Sequence, residues 1–133
     1  MEWKYVKKLS SQSLIDRYEV AYHFRFPETY RMCILVNNGG RPDKRRFVTK
    51  NGNEHVLKSF LSFNMEDQET IWKITDWNKE ELTDQYIPFA IDNFGNLICF
   101  QKSNSAIVFI QLEDISLEFI SETFDKFIIS LYE

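Results

Sequence analysis

Apolar positions fall into three regimes along the chain. Before residue 40 they recur every three or four residues, between 87 and 112 they run nearly unbroken in short stretches, and after 116 the wider spacing returns. In the first regime Leu14, Ile15, Tyr18, Ala21 and Tyr22 share one helical face. Ser11 stands where a side-chain oxygen caps the free N–H groups of a first turn. A second helix is predicted from Pro27, with Tyr30, Cys33 and Ile34 on its buried face. Asn37-Asn38-Gly39-Gly40 stops it, because a glycine accepts the left-handed conformation that closes a helix. Two strands follow at 46–49 and 55–58. Asn51-Gly52 joins them and suits a type I′ turn, with positive φ at both central positions. Residues 65–75 read as a helix capped by Asn64, with Glu66 and Asp67 near the positive end of its dipole. Residues 79–84 add a short helical turn.

Three β-rich runs come next, Ile87–Ile91, Leu97–Gln101 and Ala106–Leu112. Their connections are short and turn-like, which predicts an antiparallel meander. Apolar residues occupy both faces of these strands, so helices are expected over one face and partial cover over the other. A last helix is predicted over 117–132, capped by Ser116, with Leu117, Ile120, Phe124, Phe127, Ile128 and Leu131 as its stripe. The order α-α-β-β-α-β-β-β-α keeps strands in the middle and helices at the ends. It predicts an α+β fold, an antiparallel sheet packed with N- and C-terminal helices, as a single domain over 1–133.

Composition narrows the function. No apolar run approaches the roughly 18 residues of a membrane helix, and Met1-Glu2-Trp3-Lys4-Tyr5 has no signal-peptide character. The expected location is the cytoplasm, with no membrane partner. Cys33 and Cys99 lie in apolar patterns outside any C-x-x-C pair and are expected as buried free thiols. Charge is segregated: residues 1–50 carry a balance of +6, residues 51–110 carry −5, and residues 111–133 carry −5. Segregated charge steers a partner of opposite sign. The aromatic content of 16% suits a tightly packed small core and also a contact surface.

Chemistry finds little support. His23 and His55 stand in different elements, and four Cys and His residues in total form no paired metal motif, so neither metal nor cofactor is expected. No G-x-S-x-G elbow, P-loop or dinucleotide fingerprint is present. Asp92 ends a strand beside a tight turn and reads as a cap on that turn's N–H groups. The cluster Arg41, Lys44, Arg45, Arg46 and Lys50 invites phosphate, but the sequence pI near 5.3 runs against direct nucleic-acid binding. Its simpler reading is a charged edge that discourages strand pairing between molecules.

The segment Phe26-Pro27-Glu28-Thr29-Tyr30 followed by Asn37-Asn38-Gly39-Gly40 is similar to one motif of the SUKH superfamily. Ile87-Pro88-Phe89-Ala90-Ile91-Asp92 with Gly95-Asn96-Leu97-Ile98-Cys99-Phe100 is similar to its second. The Val108–Ile110 strand and a C-terminal helix bearing Phe124 and Phe127 extend the resemblance over residues 10–132. Phe26 replaces the family's usual leucine, and residues 50–85 match no clear motif. The resemblance implies an α+β fold. It also implies a non-enzymatic immunity protein (antitoxin) that binds a cognate toxin domain, often a nuclease. The alternative is a regulatory or scaffold module like the superfamily's fungal cell-wall-assembly regulator. The residues themselves name a candidate contact surface: Glu66, Asp67, Glu69, Asp76, Glu80, Glu81 and Asp84 as an acidic lure, with Trp72 and Trp77 as rigid anchors. The competing reading makes the tryptophans core and the acids solubilising.

Overall fold

A computed structural model describes all 133 residues. Helix α1, Ser13–Tyr22, buries Leu14, Ile15 and Tyr18, while Ala21 faces water. Ser11 Oγ accepts the Ser13 N–H at 3.2 Å, and the helix ends at His23 with φ +54. Helix α2, Glu28–Asn37, starts directly after Pro27. Gly39 follows it at φ +67, as a left-handed stop requires. A two-stranded ribbon pairs β1, Trp3–Lys4, with β2, Arg41–Pro42.

The main sheet has six antiparallel strands, each paired with its neighbour in sequence. They are β3, Arg46–Val48; β4, Glu54–Phe60; β5, Tyr86–Asp92; β6, Leu97–Gln101; β7, Ile107–Gln111; and β8, Ser116–Ser121. Helices α3, Ile71–Trp77, and α4, Lys79–Leu82, lie in the connection between β4 and β5. Helix α5, Phe124–Ser130, follows β8. The α+β class and the meander stand as expected.

Three local expectations are corrected. The final helix is half as long as its apolar stripe suggests. Residues 116–121 are strand β8, paired to β7, and Thr123 caps α5 by accepting the Lys126 N–H at 3.3 Å. The helix expected from residue 65 starts at 71, where Thr70 accepts the Lys73 N–H at 3.1 Å. Asn64 is no cap. It is buried and fastens the N-terminal segment, accepting from Ser10 N–H and donating to the Lys8 carbonyl. The β3–β4 turn has positive φ only at Gly52, with Gly52 N–H bonded to the Thr49 carbonyl at 2.9 Å. That pattern is a turn followed by a left-handed glycine, not a type I′ pair.

One core joins these elements. Phe89 and Phe100 form its centre, with ring centroids 4.7 Å apart. Tyr30 of α2 and Phe124 of α5 meet both rings edge-on or tilted within about 6 Å, geometries that aromatic quadrupoles favour. Tyr18 of α1 is bonded through its hydroxyl to Thr75 of α3 at 2.7 Å. Cys99 is fully buried, whereas Cys33 is only half-buried, and both are free thiols. Burial pushes the Cys99 thiol well above its ordinary pKa.

Candidate functional site

The acidic stretch leaves β4 and returns to β5, so it sits at the crossover end of the sheet. The structure divides it. Asp67 is tied inward: its carboxylate accepts the Ser62 hydroxyl at 2.6 Å, and its carbonyl accepts from Lys73 Nζ at 2.9 Å. Glu69 pairs with Lys58 at 2.7 Å, and Asp84 pairs with Lys102 at 3.1 Å. Glu66 is exposed in the bend that precedes α3. Asp76 and Glu80 are exposed and Glu81 half-exposed on α3 and α4, and none of these four acids has an ion-pair partner within 4 Å.

The two tryptophans have opposite fates. Trp72 is half-buried, donates its indole N–H to the Phe63 carbonyl at 3.0 Å, and packs 5.3 Å from Tyr18. It packs against the core. Trp77 is 68% exposed at the end of α3, beside Asp76. A large exposed indole next to unpaired carboxylates has the makings of an interface anchor. Burial raises the Tyr22 pKa, and the neighbouring Asp76 charge adds to the shift. Of the nine residues expected, the structure leaves Trp77, Asp76, Glu80 and Glu81 together without partners, with Glu66 apart from them.

The basic cluster is partly spent on the fold. Arg41 donates to the Lys58 carbonyl at 3.0 Å and lies over the Tyr5 ring, and Arg46 pairs with Glu54 at 3.2 Å. Asp92 caps its turn as expected, accepting from Phe94 N–H at 2.9 Å and Asn96 N–H at 2.8 Å.

One polar centre is absent from the sequence reading. Glu118 of β8 is nearly buried. It accepts the Thr49 hydroxyl at 2.5 Å and the Asn53 amide at 2.9 Å. His55 Nε2 lies 3.5 Å from its other oxygen without hydrogen-bond alignment, and the His55 ring stacks on Phe109 at 3.9 Å. Together with the Lys50 N–H bonded to the Phe119 carbonyl at 2.8 Å, this centre joins the two outermost strands, β3 and β8. The sheet coils until its edges meet at one corner, which shields both edges there. Burial pushes the Glu118 carboxyl upward, but the hydrogen bonds and the His55 charge outweigh it and hold the pKa below its ordinary value. A helical reading of 117–132 hid this residue by placing it off the apolar stripe. The alternation Glu118, Ile120 along a strand was the available signal.

No helix is long and apolar enough to cross a membrane. No curated protein matches the chain. The family model described as SMI1 / KNR4 family (SUKH-1) matches residues 10–130, which span both motifs, the whole six-stranded sheet and helices α1 to α5. With nearly the full length matched and the α+β meander in place, the chain belongs to the SMI1 / KNR4 family (SUKH-1).

Proposed function

We propose that this protein is an immunity protein that neutralises a cognate toxin domain, a nuclease by preference, by stoichiometric binding without turnover. Family membership supports a protein-interaction module of the immunity type in general terms. The observation that carries the finer reading is Trp77, 68% exposed at the end of α3 beside the unpaired acids Asp76 and Glu80. An enzyme acting on a polyanion presents a basic surface. An acidic inhibitor surface imitates the substrate's charge, and opposite charges speed association to about 10⁸–10⁹ M⁻¹s⁻¹ at low salt. The rigid indole supplies contact area at small entropic cost.

The test is co-expression with the C-terminal domain of a secreted toxin encoded beside this gene. Cells are expected to survive with the intact protein and to die when Trp77→Ala and Asp76→Lys are combined, while the folded yield is unchanged. Death in the presence of the intact, folded protein refutes the reading. Equal protection by the double variant removes Trp77 and Asp76 from the contact.

A further inference from the structure

An antiparallel meander delivers every second turn to the same end of its sheet. The β3–β4, β5–β6 and β7–β8 turns therefore converge opposite the α3–α4 crossover. Side chains fasten them together. Glu118 ties the first turn to β8. Asp92 closes the second turn on itself. Asn96 Oδ1 accepts the Leu112 N–H at 3.0 Å, joining the second turn to the third.

This locked frame holds two large apolar side chains in water, Phe94 at 89% and Ile115 at 58% exposure. Turn chemistry selects neither residue. Ile115 adopts φ +52, which a β-branched residue avoids, and such strain gathers at functional positions. A cleft of about 360 Å³ opens beside Phe94, lined also by Glu54, His55, Asp92 and Gln111. Its surroundings are one-sided in charge. Residues 49–56, 92–96 and 111–118 hold Glu54, Asp92, Glu113, Asp114 and Glu118, against Lys50 and the Arg46 that pairs with Glu54.

We propose that this end of the sheet is a preformed contact platform for a basic protein surface. Phe94 and Ile115 are its apolar anchors, and the cleft beside Phe94 receives a lysine or arginine side chain. The inference rests on the protein-binding reading above, but not on the partner being a toxin. A cation entering the cleft comes up against the Phe94 side chain and the carboxylates of Glu54 and Asp92, competing with Arg46 for the first carboxylate, and gains apolar contact and ionic attraction together. The turns are already bound to one another, so little order remains to be imposed on binding. Glu113 and Asp114 at the rim steer the encounter.

The experiment places a photo-crosslinking benzoylphenylalanine at Asn93, beside Phe94, in cells that make the protein. Matched probes replace Lys79 near Trp77 and Val20 on α1. The expected result is an adduct from Asn93, absent from Val20, that falls at least tenfold with Glu113→Lys and Asp114→Lys combined. The crosslinked protein, once purified, is expected to bind Phe94→Ala roughly thirtyfold more weakly than the intact protein. Circular dichroism of each variant checks that the fold is kept. An adduct from Lys79 alone overturns the platform and leaves the protein-binding reading standing. An adduct from Asn93 that ignores charge reversal, or that Val20 equals, overturns the platform. Silence at all three positions overturns both readings.

Discussion

The two ends of the six-stranded sheet both carry carboxylates, and they use them differently. At the turn end Asp92 and Glu118 are buried and saturated with donors from the turns they hold. At the crossover end Asp76 and Glu80 are exposed and unpaired, while Glu69 and Asp84 are ion-paired with lysines, the first half-buried and the second exposed. A buried carboxylate shapes the backbone, because leaving its donors unpaired is expensive. An exposed one mostly sets the field that a partner feels. Formal charge is blind to that difference.

Substitution separates the two roles, and the largest effect belongs to the turn end. Glu118→Ala strands the Thr49 hydroxyl and the Asn53 amide, so the expected loss of stability is about 2–3 kcal/mol. Glu80→Ala at the crossover end is expected to change stability by no more than about 0.5 kcal/mol. Urea unfolding of the two variants reads both numbers, and equal midpoints break the comparison.

Acid sharpens it. The Glu118 carboxyl is held below its ordinary value in the folded protein. Its stabilising share is therefore complete above the unfolded pKa and is lost as pH falls through the folded one. Glu118→Gln is expected to flatten the fall in stability between neutral and acid pH. Urea midpoints taken across that range test the sign. A slope that steepens in Glu118→Gln contradicts the assignment.

The smallest effect reverses direction. Ile115→Gly at the third turn removes a β-carbon from a left-handed backbone. It is expected to stabilise by about 0.5–1 kcal/mol, since relieved strain exceeds the entropy glycine adds to the unfolded chain. Thermal unfolding measures it, and destabilisation places the strain elsewhere.

The contrast also explains which parts of the protein were legible in its sequence. The central strands were, because Ile87–Ile91 and Leu97–Gln101 are short, apolar and bounded by turn residues. Helix α2 was, because proline and glycine mark its two limits. Strand β8 was not: Leu117, Ile120, Phe124 and Phe127 fall three or four apart by coincidence of a strand running into a helix. The pairing of β8 with β7 and its tie to Thr49, 69 residues away, decide its conformation, and neither registers in the spacing of its apolar residues. The acidic site was legible as composition but not as geometry. Trp72 and Trp77 are equivalent on paper, and the packing of Tyr18 against Trp72 and the indole bond to the Phe63 carbonyl distinguish them. Phe94 lay open to suspicion, since an aromatic in the middle of Asp92-Asn93-Phe94-Gly95-Asn96 is foreign to turn chemistry.

The sequential order of the strands bears on how the chain acquires its shape. The β5–β6, β6–β7 and β7–β8 hairpins need only short loops closed, so they are predicted to assemble early and quickly. The tie between Thr49 and Glu118 spans 69 residues and waits for the last strand. A ribosome-bound chain stalled before residue 118 should therefore hold an open, uncoiled ribbon with both margins bare, vulnerable to other nascent chains until that single carboxylate arrives.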